Sequence, residues 1–233
     1  MAKPWTRAAL GAVLLAAGAG LMLAGAMAMR STDSPAGAPS LGELTATVTA
    51  PPEEVAALGK ALAEHLPPDA IVLAWQDVSR HLHLSEEASA SFGWPDALLA
   101  PRDEGIRQLR EHAGDSTVHL VVHVRDALLL GAMAPERIGV AFQDQPDAGN
   151  LHGSINNARD WVRKEGYKAY SAYRPDTTRL RIVALTDDAS AATLIGSLLP
   201  FHDPRRQAEP VQGLTLVHQV GGFWVYRVEP DAS

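Results

Sequence analysis

Cysteine is absent from all 233 residues. That absence excludes disulfides, thiolate zinc sites, iron–sulfur clusters and covalently attached c-type haem, because each needs a sulfur. The motifs that announce common catalytic chemistry are missing too: there is no G-x-S-x-G elbow, no phosphate-binding P-loop, no G-x-G-x-x-G and no H-E-x-x-H. Ser, His and Asp are numerous enough to meet in space as a triad, but no spacing promotes one. Basic charge is also short. Lys3, Arg7 and Arg30 are three of the 20 basic residues and no acid precedes Asp33, so residues 31–233 hold 17 basic against 27 acidic side chains, a net charge of −10. An acidic body repels nucleic acid and anionic lipid, and neither is expected as a partner. A basic partner is electrostatically compatible.

What the chain does have is enough apolar material, 46% of residues, to bury a core. Its clearest signal is the run from Ala8 to Met29, which carries no charge and is rich in Ala, Leu, Gly and Met. As a helix rising 1.5 Å per residue, this run matches the ~30 Å hydrocarbon core of a bilayer. Lys3 and Arg7 precede it, and positive flanks stay cytoplasmic, so the rest of the chain is expected in the periplasm of a bacterial cell. Residues 1–30 therefore read as a signal-anchor, with residues 8–29 in the inner membrane and a single pass. The small residues at Ala24-x-Ala26 and Ala26-x-Ala28 keep a second reading open, in which a signal peptide is cleaved and the body secreted.

Residues 31–52 are rich in Ser, Pro, Ala, Thr and Gly and read as a flexible linker. Residues 53–233 then read as a single α/β domain. Val55, Leu58, Leu62 and Leu66 recur at helical spacing after Pro52-Glu53-Glu54, and Pro67-Pro68 stops that helix. Ala70 to Trp75 is an apolar run of strand length. A helix over Arg102–His112, a strand over Thr117–Val124, a helix from Leu151 to Lys164 ended at Gly166 and a strand over Tyr167–Tyr173 come next. Leu180–Leu185 is a buried-type strand, and Asp187-Asp188 starts a helix that reaches Leu199. Leu214–Val220 and Phe223–Val228 flank Gly221-Gly222 as a hairpin with a two-residue turn. The expected fold is α/β: a layered mixed sheet flanked by helices, closed by a C-terminal β-hairpin and preceded by one transmembrane helix.

Several residues invite a functional reading. Trp75, Asp77 and Arg80 lie just past the first buried strand, where open α/β sheets place ligands, and could form a small-ligand or partner surface; Asp77 could equally cap the next helix. His81-x-His83 would share a face on a strand and could hold a metal, but on a helix the pair would diverge by about 200°. His119 and His123 share a strand face about 13 Å apart, too far to chelate one ion unaided, and read as partly buried, hydrogen-bonded histidines. Asp187 and Asp188 are carboxylates at a helix start, read as a cap and its dipole partner. Trp161, Tyr167, Tyr170 and Tyr173 read as packing. No cofactor is expected.

Five segments carry a family likeness: Asp69–Arg80, Trp161–Tyr170, Ala184–Asp187, Leu198–Phe201 and Leu216–Tyr226. With the anchored N-terminus, they resemble the hydroxylamine-oxidation-associated protein HaoB family. The resemblance implies a membrane-anchored periplasmic accessory protein, a partner or assembly factor of multihaem hydroxylamine oxidoreductase or its associated cytochromes. It implies no catalytic residues. A periplasmic small-ligand or metal-binding domain using the Trp75–His83 region is the alternative.

Overall fold

The computed structural model describes residues 48, 50–67, 70–79, 82, 94–113, 116–146, 151–176, 178–199 and 210–230, all within a compact unit spanning residues 44–233. The apolar run 8–29 and the linker up to residue 47 lie outside the described residues, as do Arg80, His81 and His83. Among the described residues no helix is long and apolar enough to cross a membrane.

In chain order the elements are α1 (Pro52–His65), β1 (Ile71–Leu73), α2 (Gln76–Ser79), α3 (Pro95–Leu99), α4 (Arg102–Ala113), β2 (Val118–His123), α5 (Val124–Met133), β3 (Val140–Pro146), α6 (Leu151–Glu165), β4 (Ala169–Asp176), β5 (Arg179–Leu185), α7 (Asp188–Ala191), α8 (Leu194–Leu198), β6 (Leu214–Val220) and β7 (Phe223–Val228). The α/β class and the C-terminal hairpin are as expected, but the strands form two sheets. The first has order β1-β2-β7-β6 and is mixed, with β1 and β2 parallel and the other pairs antiparallel. The second, β3-β5-β4, is wholly antiparallel.

Layering results from the apolar patterns. All six residues of β2 are buried, because this strand lies between β1 and β7 with side chains packed on both faces. Val55, Leu58 and Leu62 of α1 cover one face of the first sheet, against Val72, Val121, Phe223 and Val225. On the other face, Leu120 and Val122 join Leu98, Leu109, Leu130, Leu198 and the inner residues Val183 and Leu185 of β5 in the largest core. The outer face of the second sheet, Tyr170, Ile182 and Ala184, is covered by Ala158 and Val162 of α6. Trp161 and Tyr167 stand edge to face beside them with ring centroids 5.2 Å apart. Their role is packing.

Two local devices set the chain's direction. Helix α6 stops at Gly166, whose φ of +75° belongs to the left-handed region that glycine enters without steric cost, and the Tyr167 amide closes back on the Val162 carbonyl at 3.0 Å. At the same end of the second sheet, where Ala169 pairs with Leu185, Asp187 caps α7, its carboxylate accepting from the Ser190 amide at 2.7 Å. The helix expected to run from there to Leu199 is two short helices. Thr193 divides them, donating its hydroxyl to the Ser190 carbonyl at 2.7 Å and accepting from the Gly196 amide at 3.2 Å as a fresh N-cap.

Helix α5 and strand β3 extend the architecture beyond the elements expected from local pattern. The chain passes from β2 into α5 with no loop, because His123 ends the strand in an extended conformation and caps the helix. Its Nδ1 accepts from the Arg125 amide at 3.0 Å, and Asp126 Oδ2 accepts from the His123 amide at 2.7 Å. This is a reciprocal capping box with His in the place usually taken by Ser or Thr.

Candidate functional site

Residues opposite one another in an antiparallel pair share a face. The register His119↔Arg227, Val121↔Val225 and His123↔Phe223 therefore sets a polar end and an apolar end on the α1 side of the first sheet. Helix α1 packs on Val121, Val225 and Phe223. His119 and Arg227 open instead into a cleft of about 930 Å³, bounded by the end of α1, the last turns of α4, and β6 and β7. Ala61, Leu62, Leu66 and Val225 supply apolar lining; Arg107, Arg110, Glu111, His65, His218 and Glu229 supply charge and hydrogen-bonding groups.

Ion pairs hold most of this rim in place. Arg227 Nη2 donates to Glu229 Oε1 at 2.9 Å, and the Thr215 hydroxyl, with Arg227 second, holds the Glu229 carboxyl below its usual range. Arg110 Nε donates to the Glu229 backbone carbonyl at 2.9 Å, tying α4 to the end of β7. Arg107 bridges Glu104, at 2.6 Å, and Glu111 on the exposed side of α4. The Arg107 hydrogen bond holds the Glu104 carboxyl at about 2. The His65 ring lies over His218 with centroids 4.8 Å apart, its Nδ1 donating to the Ala61 carbonyl at 2.8 Å.

His119 differs from its neighbours. It is 3% exposed, and its Nδ1 has no hydrogen-bond partner among the described residues. Burial, and then the adjacent Arg227, lower its affinity for a proton, so the ring is neutral at physiological pH. The expectation of a hydrogen-bonded pair at the sheet is thus met at His123 only. Both rings are also more deeply buried than expected.

His123 belongs to a second polar cluster, where β2 turns into α5. Only 1% exposed, it packs against Tyr173 at 5.0 Å and Phe223 at 4.8 Å between ring centroids. Burial, with Arg125 adding to it, lowers its pKa to about 3. Arg125 is equally buried; its guanidinium donates to the Val48 carbonyl at 2.9 Å and stands 3.6 Å from Asp126. Across the second sheet, Arg181 grips Asp144 through two hydrogen bonds of 2.6 and 2.7 Å and lies over the Phe142 ring. The contact of His123 with Tyr173 of β4 joins the two sheets.

Trp75 lies past the carboxyl end of β1, half-buried, edge to face with Trp94 at 5.4 Å between centroids. Its indole nitrogen is buried with no hydrogen-bond partner among the described residues. Asp77 is the second residue of α2. Arg80 and the pair His81 and His83 lie outside the described residues, so the expected surface is represented here by Trp75 and the backbone of α2 beyond it. The cleft opens elsewhere, at the amino end of β2 around Thr117 and His119. Sequence reasoning singled out His119 alone among its polar residues. The others come from α1, α4, β6 and β7, and no spacing along the chain links them. Among the described residues no group of three or more His, Cys, Asp or Glu is placed to hold a metal ion.

Comparison with known proteins adds one finding. The family described as HaoA-associated protein HaoB matches residues 34–96 and 93–228. No match was found to a curated protein or to a solved structure. The family match runs from the linker through the last strand and takes in both sheets, and on that extent the chain belongs to the HaoA-associated HaoB family.

Proposed function

We propose that this protein is an accessory of the hydroxylamine oxidation system that associates with the multihaem hydroxylamine oxidoreductase HaoA and acts by binding, without a catalytic step of its own. The observation that carries this reading is the family match over residues 34–96 and 93–228, whose description names HaoA as the associated protein. Anchoring is part of the proposal. Lys3 and Arg7 ahead of the charge-free run 8–29 support a single inner-membrane pass with residues 53–233 forming one periplasmic domain. The Trp75, Asp77 and Arg80 region serves as the partner-facing surface. The half-buried Trp75 ring, edge to face with Trp94 past the carboxyl end of β1, supports that reading.

The test has two arms. A reporter active only in the periplasm, fused after Ser233, is expected to be active and to fractionate with membranes; a silent reporter in the soluble fraction defeats the placement. A tag at the same position, used to isolate the protein from detergent-solubilised membranes, is expected to recover HaoA and to lose it with Asp77→Ala or Arg80→Ala. Recovery of the tagged protein without HaoA from cells that make both defeats the association.

A further inference from the structure

The charged lining of the cleft is unbalanced in its hydrogen-bonding capacity. Its carboxylates are engaged: Glu111 takes Arg107, and Glu229 takes Arg227 and Thr215. Donors are left over. A guanidinium carries five N–H groups, and the pairing of Arg227 with Glu229 uses those on Nε and Nη2. His119 adds another. Its Nδ1 is sealed and has no hydrogen-bond partner among the described residues, while the ring lines the cleft, so the ring edge carrying Nε2 is the one turned toward the opening. A neutral imidazole holds one proton. Placing it on Nε2 leaves only a lone pair in the sealed position and directs an N–H into the cleft, whereas the other tautomer would bury an unmatched donor.

A ligand suited to this place must accept hydrogen bonds from His119 and Arg227, which face each other across β2 and β7. It must also fill space. An inorganic oxyanion would occupy a small part of a cleft of about 930 Å³ and leave the accessible apolar lining of Ala61, Leu66 and Val217 uncovered. Because residues 31–233 carry a net charge of −10, an anion would be held by these local donors and not drawn in by the field of the whole protein. We propose that the cleft binds a small organic anion, a carboxylate on an apolar body, with Arg227 and His119 donating to its oxygens and Ala61, Leu66 and Val217 covering the body.

Equilibrium dialysis of radiolabelled benzoate and hexanoate against the full-length protein in detergent micelles tests this, with protein-free micelles as the blank. Saturable binding at one site is expected, with benzamide and sulfate displacing the label poorly. Arg227→Gln and His119→Phe are each expected to weaken binding at least about tenfold, the scale of a lost charged or buried hydrogen bond. Both variants should keep the wild-type melting transition. Arg227 is 44% exposed and carries the test alone if His119→Phe fails to fold. The proposal is overturned by no saturable binding of either carboxylate at millimolar concentration, by benzamide or sulfate competing as well as benzoate, or by wild-type affinity in Arg227→Gln. None of these outcomes depends on the association with HaoA, which the dialysis does not read.

Discussion

Gly222→Ala is expected to be among the more damaging single-methyl additions in this protein, for a reason that lies far from residue 222 in sequence. In the β6–β7 turn only Gly221 has a positive φ, +53°, the pattern of a type II′ turn, which needs glycine at its first central position alone. The backbone at residue 222 would accept any side chain; the space would not. A Cβ there falls 2.7 Å from His123 Cδ2 and closer still to Nε2. His123 has nowhere to go, because Tyr173 and Phe223 hold its faces and its Nδ1 caps α5. Displacing it costs about 0.5–2 kcal/mol for the cap and about 1–3 kcal/mol for overpacking, together about 1.5–5 kcal/mol. For a chain of this size that corresponds to a fall in Tm of roughly 3–20 °C. Gly166→Ala is the control: its φ is +75° but nothing lies within 4 Å of the added methyl, so it bears only the left-handed backbone cost of about 1–2 kcal/mol. Thermal unfolding of the full-length protein, monitored by circular dichroism, compares them. A Gly222→Ala variant that melts no lower than Gly166→Ala refutes the reasoning. So would strict additivity in Gly222→Ala/His123→Ala, because removing the ring removes the clash.

Three further outcomes are expected. His123 takes a proton near 6.5 when unfolded and only near 3 when folded, so its contribution is fully present above pH 6.5 and is lost as pH falls from 6.5 toward 3, by at most about 1.4 kcal/mol per pH unit. His119 acts in the same direction, and His123→Asn, which keeps a cap acceptor, should show a smaller fall in Tm between pH 7.5 and pH 4.5. Arg181→Met leaves Asp144, whose side chain is 30% exposed, without its bidentate partner and should lower the urea midpoint by the equivalent of about 2–3 kcal/mol, with Arg181→Lys between it and wild type. Asp187→Ala removes the cap from the Ser190 amide and should cost about 1 kcal/mol in the same assay, most of it recovered by Asp187→Asn.

Elements whose cause is local were legible before folding. Helix α1 arises from the spacing of Val55, Leu58 and Leu62 between prolines, α7 from Asp187, the end of α6 from Gly166, and β6–β7 from two apolar runs about Gly221. The alternation of helices with buried strands sufficed for the α/β class. Helix α5 was hidden, because it continues a valine-rich strand without a break and is capped by a histidine whose partner, Asp126, is recognisable only once the helix exists. Strand β3 was hidden for a similar reason. Gln143, Asp144 and Gln145 show no strand preference until they pair with Ile182, Arg181 and Leu180 of β5.

By itself, then, the sequence determined the charge-free run 8–29, the acid excess of residues 31–233, the absence of thiol chemistry and the elements set by local spacing and caps. Tertiary structure decided the rest. It divided the strands into two sheets and made Gly222 a necessity of His123. It also left one end of the α1-covered sheet face open, so that His119 and Arg227 meet in a cleft with residues from α1, α4 and β6. The physical reason is range: caps, turns and periodicity act over a few residues, whereas burial and register join groups such as His119 and Arg227 that are far apart along the chain, and only the packed chain sets which polar groups keep a path to water.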